Sequence, residues 1–135
     1  MGITWKDHIT NVEGLRRANI SSMEAMIARS QLTWTGHTIR MSEEQLPRVL
    51  LFAELKEGTR PRGRPRLRFK DTVKGRLTLA GISYQQLEKP ASDRAGWRSV
   101  ASEGTKAVHR DWVNRENERR RRRHAVDTTP EIEQQ

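Results

Sequence analysis

The sequence predicts an all-α fold: a small helical domain with an extended basic loop and a long basic C-terminal helix. Three observations predict it. Apolar residues recur every three or four positions through most of the chain, the period of a helix face. No segment alternates apolar and polar residues as a half-buried strand would. The one long stretch without any period is crowded with Gly, Pro and Arg.

Taken in order, Trp5 to Ala18 reads as a first helix with Trp5, Ile9, Val12 and Leu15 on one side, broken at Asn19-Ile20. Ser21-Ser22-Met23-Glu24 has the form of a capping box, in which the Ser21 hydroxyl caps and Glu24 reaches back. The helix that follows, to about Met41, carries Met23, Ile27, Ser30, Trp34, His37 and Met41 along one face. Ser42-Glu43-Glu44 opens a short helix that tolerates Pro47 near its start. It is expected to bury Leu46, Val49, Leu50 and Ala53 and to end by Leu55. Phe69, Val73, Leu77 and Ala80 form the cleanest stripe, and Gly81 is placed to end it in the left-handed conformation with Ile82 folded back on Leu77. A turn around Tyr84 to Leu87 stops at Pro90. Ser92 or Asp93 then caps a last helix bearing Trp97, Val100, Ala101, Val108 and Trp112, which runs through Arg119–Arg123 before fraying. The chain thus divides into helical parts at 3–55 and 69–124, a basic loop at 56–68 and a polar tail at 125–135 expected to be disordered.

Composition narrows the function. Leu, Ile, Val and Phe make up 26 of 135 residues, about 19%, which predicts a thin core beside sizeable solvated segments. With 26 Lys and Arg against 17 Asp and Glu, the chain carries a formal charge of +9. Phosphate backbones are the commonest partner for such a surface and anionic membranes the next. The absence of cysteine removes disulfides, thiol chemistry and Cys-ligated zinc. The longest apolar run, Val49 to Ala53, is far short of the ~20 residues of a spanning helix, so no membrane partner is expected.

The chemistry concentrates in Arg60-Pro61-Arg62-Gly63-Arg64-Pro65-Arg66-Leu67-Arg68-Phe69-Lys70, where six cations alternate with other residues and no acid intervenes. Its centre, Pro61 to Pro65, resembles an AT-hook. Prolines hold the backbone extended, Gly63 lets it lie close to a groove floor, and Arg62 and Arg64 can enter a narrow A·T minor groove. Less specific phosphate contact, or a solvated linker, are the other readings of the same residues. A second basic element, with Arg119, Arg120, Arg121, Arg122 and Arg123 at its heart, spreads charge around every side of a helix. That suits backbone contact over base reading, and equally a nuclear-import signal or a solvated charge run. Trp34, Trp97 and Trp112 fall on apolar stripes and are expected in the core; His37 reads as a partly buried structural residue, and Asp71 as a partner of Arg68 or Lys74. The four histidines are scattered and carboxylates are not clustered, so neither a metal, a cofactor nor an enzyme active site is expected.

Several segments taken together resemble one known region: Trp5-Lys6-Asp7-His8-Ile9-Thr10-Asn11, Gln31 through Trp34-Thr35-Gly36-His37 to Arg40-Met41, Leu46-Pro47, Gly58-Thr59-Arg60 leading to Gly63-Arg64-Pro65, Arg68-Phe69-Lys70-Asp71 with Lys74, and Asp93-Arg94-Ala95-Gly96-Trp97-Arg98. Their order and spacing are similar to the region C-terminal to the polymerase domain in endonuclease–reverse transcriptases of animal non-LTR, LINE-like retrotransposons, over roughly residues 3 to 100. The chain departs from that pattern in lacking the endonuclease, the polymerase with its Tyr-x-Asp-Asp site and the Cys/His segment in which relatives often continue. Leu87 stands where they often have a tryptophan. The resemblance implies a nuclear appendage, present as a fragment, that handles template or target and has the parent's polymerase domain as a possible partner. No catalytic residue carries over. The expected function is therefore non-catalytic nucleic-acid binding. A protein-interaction fragment, which would expose a large apolar patch on residues 21–55, and a retroelement relic without a role of its own are the alternatives.

Overall fold

The computed structural model describes residues 2, 4–53, 62–63 and 67–127, and among them every regular element is helical. Six α-helices follow in order: α1 (Asn11–Ala18), α2 (Met23–Ile39), α3 (Leu46–Phe52), α4 (Phe69–Leu79), α5 (Glu88–Ser92) and α6 (Arg94–Asp127). The packing of Trp5, most of the expected loop and residues 128–135 lie outside the described residues.

The core forms where α2 and α6 pack against each other, with α4 and α5 closing the sides. Leu32, Val73, Leu77 and Leu87 are fully buried in it, with Ile39, Leu51 and Trp97 almost so. The Trp97 indole N–H donates to the Leu32 carbonyl at 2.9 Å, so the one polar atom of this buried ring is satisfied. The ring lies so close to α2 that a Cβ on Gly36 would sit 2.0 Å from Trp97 Nε1. Gly104 makes a similar close approach from α6, where a Cβ would meet Leu32 Cδ1 at 2.8 Å. The helical parts on either side of the basic stretch thus share one core.

This closeness reverses the expected orientation of α2. Its buried face is Ala25, Ala28, Leu32, Thr35, Gly36 and Ile39, mostly small residues that let the helices meet. The stripe of larger residues, Met23, Ile27 and Trp34, faces out together with His37, which is exposed and not partly buried. The cap also moves by one residue. Ser22, not Ser21, accepts from the Ala25 N–H, while its own N–H donates to His109 Nδ1 at 3.1 Å, and Glu24 turns to Arg115 instead of closing a capping box.

Other boundaries shift for local reasons. The first expected helix is two pieces: a 3₁₀ turn at Trp5–Asp7 and α1, separated by His8 at φ 47°. The Thr10 hydroxyl accepts from the Glu13 N–H at 3.1 Å and starts α1 there. In α3, Leu46, Val49, Leu50 and Ala53 are exposed and Leu51 takes the core position. Arg48 sets that rotation by donating to the carbonyls of Ile39 and Met41 at the end of α2. That turns the residues three and four further on, Leu51 and Phe52, inward. Pro90 does not stop a helix but sits in the first turn of α5, where its missing N–H costs nothing.

Two endings follow the sequence closely. After α4, Gly81 adopts φ 74°, the Ile82 N–H reaches the Leu77 carbonyl at 2.9 Å and the Gly81 N–H reaches Thr78, a Schellman ending. At the start of α6, Asp93 accepts from the N–H groups of Ala95 and Gly96 at 2.9 and 2.8 Å. Trp97, Ala101 and Val108 are buried along α6, Trp112 is half-buried against His109, and the helix continues to Asp127, past the expected 124.

Glycine substitutions are expected to separate these roles by sign. Gly36→Ala forces the Trp97 indole off the Leu32 carbonyl and overpacks the interface, costing about 3 kcal/mol, on the order of 10 °C in Tm. Gly75→Ala, inside α4 with open space at its Cβ, is expected to stabilise by about 0.5–1 kcal/mol. Thermal unfolding of the two variants checks this, and equal shifts would contradict the packing described. A second expectation concerns α1, where Glu13 accepts from Arg16 and then Arg17, which hold its carboxyl down at about 2 from the usual 4.5. Because the folded value is the lower one, the stabilisation is full above about pH 4.5 and fades as the pH falls through about 2. A carboxyl NMR titration of Glu13 with its midpoint near 4 would contradict this pairing.

Candidate nucleic-acid interface

The expected interface has two parts, and they lie on different elements. Of the basic stretch, Arg60, Arg64 and Arg66 lie outside the described residues. Arg62 and Gly63 are exposed, and Gly63 takes φ 115°, a conformation open to glycine and strained for other residues. Arg68 is the residue before α4. Its N–H donates to Asp71 Oδ2 at 3.1 Å, and its side chain lies 3.7 Å from the same carboxylate, so the Arg68–Asp71 pairing is present. Lys70 turns toward the body. Its ammonium donates to the Ala53 carbonyl at 3.3 Å and lies 5.7 Å from the Tyr84 ring centroid. Lys70 thus holds the loop's exit against the end of α3, while Arg68 is tied to the first turn of α4.

The second part is the end of α6. The helix has 34 residues, which at 1.5 Å per residue is about 51 Å. Its buried positions stop at Val108, and from Asn117 to Ala125 every side chain is exposed. Arg115 ties this part of α6 to the body by pairing with Glu24 on α2, and it also pairs with Asp111 one turn back; the Glu24 bond and then Asp111 hold its guanidinium pKa above the usual value. Beyond it, Arg119 pairs with Glu116 at 2.8 Å and Arg122 with Glu118 at 2.9 Å. Among the described residues Arg120, Arg121 and Arg123 form no ion pair. Arg120 and Arg123, three apart, share one side of the helix, and Arg121 looks away from them. Exposed pairs such as Arg119–Glu116 contribute only about 0–1 kcal/mol, so an incoming phosphate can compete for those arginines too.

Residues outside the basic runs also shape the surface. Trp34 stands 42% exposed against Phe69, ring edge to ring face at 5.1 Å, and Leu46 and Leu50 beside them are 66% and 64% exposed. With Pro47 they line a groove of about 410 Å³ rimmed by Arg68 and Lys70. The helical period marked these residues as apolar but could not tell an inward from an outward stripe. Among the described residues no group of three or more His, Cys, Asp or Glu is gathered to hold a metal ion, and no helix is long and apolar enough to cross a membrane. Neither protein-family models, nor curated proteins, nor solved structures give a match to this chain.

Proposed function

We propose that this protein is a non-catalytic nucleic-acid-binding module that grips phosphate backbone with the end of α6 and the Arg60–Lys70 stretch. The observation that carries this reading is the end of α6, where a stretch of fully exposed helix presents five consecutive arginines, three of them without an ion pair among the described residues. Such a rod of guanidinium groups neutralises phosphates without addressing base edges. Following the resemblance, its setting would be nuclear, as the template- or target-handling region behind the polymerase of a LINE-like endonuclease–reverse transcriptase.

A second reading is favoured by the groove at Trp34, Leu46, Leu50 and Phe69. Exposed apolar residues on 21–55 are what a protein-interaction fragment would show, and the occupant in that reading is the polymerase domain of such a parent protein. Leu46→Ser with Leu50→Ser would then abolish co-purification with that domain while leaving nucleic-acid affinity unchanged.

Salt titrations test the first reading. Each phosphate contact adds about 0.9 to the slope of log K against log salt on duplex DNA. Replacing Arg120 and Arg123 by Ala is therefore expected to flatten the slope by about 1.8. Replacing Arg62 and Arg64 by Ala is expected to do the same. If those two read an A·T minor groove, each also removes about 1–3 kcal/mol of preference for A·T over G·C duplex. Unchanged affinity and slope in both double variants would overturn the proposal.

A further inference from the structure

At the opposite end of α6 lies a cleft of about 400 Å³ lined by Thr33, His37, Arg40, Arg94, Trp97 and Arg98. It is formed where the last turns of α2 meet the first turns of α6. Two segments singled out in the sequence, Gln31 through Arg40 and Asp93 through Arg98, come together here, and none of the cleft's lining residues belongs to the interface or the groove described above.

The charge of this cleft is one-sided. Three guanidinium groups line it and no carboxylate does. The nearest acid in sequence, Asp93, is committed to the Ala95 and Gly96 N–H groups at the start of α6. Arg94 and Arg98 are four apart on the same side of α6, both exposed and without an ion pair among the described residues. Like charges at that spacing cost helix stability, so the arrangement is unfavourable until an anion enters. Arg40 is held in place by donating to the Ala91 carbonyl at 2.9 Å, which ties the end of α2 to α5 and fixes one wall. A hydroxyl (Thr33) and an imidazole (His37) add hydrogen-bonding partners suited to an oxyanion.

We propose that this cleft binds a phosphate group through Arg40, Arg94 and Arg98, with Thr33 and His37 completing its oxygen contacts. Planar, fork-shaped guanidinium groups match the paired oxygens of a phosphate, and three converging on one cleft of nucleotide size favour a single phosphate over a diffuse polyanion. The group can be a terminal or free phosphate monoester or a diester within a strand. The site is independent of the α6 end: Arg98 and Arg120 are 22 residues apart, about 33 Å along the helix.

The test uses the full chain, with the Trp97 indole N–H as an NMR reporter because that ring lines the cleft. Inorganic phosphate, sulfate and chloride are titrated at constant ionic strength. A thymidine tetranucleotide is added with and without a 5′-phosphate. Saturable shifts with phosphate, absent with chloride and weakened at least tenfold by Arg94→Gln with Arg98→Gln, support the site. The same shifts are expected to survive Arg120→Gln with Arg123→Gln, which separates this proposal from the α6-end reading. Tighter binding of the 5′-phosphorylated oligonucleotide identifies a monoester, and equal binding of both oligonucleotides identifies a diester. An unchanged or raised Tm in the Arg94/Arg98 variant shows that lost binding is not lost folding. A response that is linear, equal for chloride, or unaffected by those two substitutions would overturn the proposal.

Discussion

A single indole sets the geometry on which the rest of the molecule depends. Trp97 is buried with its N–H on the Leu32 carbonyl, and it lies where a side chain on Gly36 would have to be. For that contact to form, α2 must turn its small residues toward α6. Its large ones, Met23, Ile27 and Trp34, are then left on the outside. The same contact sets α6 against the end of α2, bringing Arg94 and Arg98 beside His37 and Arg40. It also leaves the far end of a 34-residue helix with no α2 to cover it. Apolar groove, cationic cleft and projecting arginines are three consequences of one packing choice.

Charge is divided between architecture and surface. Arg40, Arg48, Arg76 and Lys70 donate to the carbonyls of Ala91, Ile39 and Met41, Glu24, and Phe52 and Ala53, respectively. Arg40, Arg48 and Lys70 thus satisfy oxygens at or just past helix C-termini, whereas Arg76 adds a bond to a carbonyl in the first turn of α2. A formal charge of +9 therefore overstates what is available to a partner. Among the described residues, cations without an ion pair cluster at the two ends of α6, as Arg94 with Arg98 and as Arg120, Arg121 and Arg123, while Lys6, Arg29, Lys89 and Arg110 stand singly elsewhere.

The helical class, the Schellman ending at Gly81-Ile82, the Asp93 cap and the buried Trp97 were legible because each rests on local spacing or on a residue type with one structural use. The inward face of α2 was not legible. Its sequence is apolar on both sides, and only the close approach of a distant helix selects the smaller one. The rotation of α3 was hidden for a related reason. It is set by Arg48 reaching back to carbonyls at the end of the preceding helix, a bond that follows no helical period. Of the interface, the arginine run could be read directly from 119–123, whereas which of those arginines are already paired depends on helix geometry. The cleft residues were visible only as parts of two separate segments.

Chemical-shift mapping of the ¹⁵N-labelled chain with an A·T-rich duplex locates nucleic-acid contact without assuming where it falls. Saturable perturbations are expected at Arg119–Arg123 and at Arg62-Gly63, reduced as salt is raised. Perturbations confined to Met23, Trp34 and Leu50, or none at all at low salt, would contradict the proposed interface.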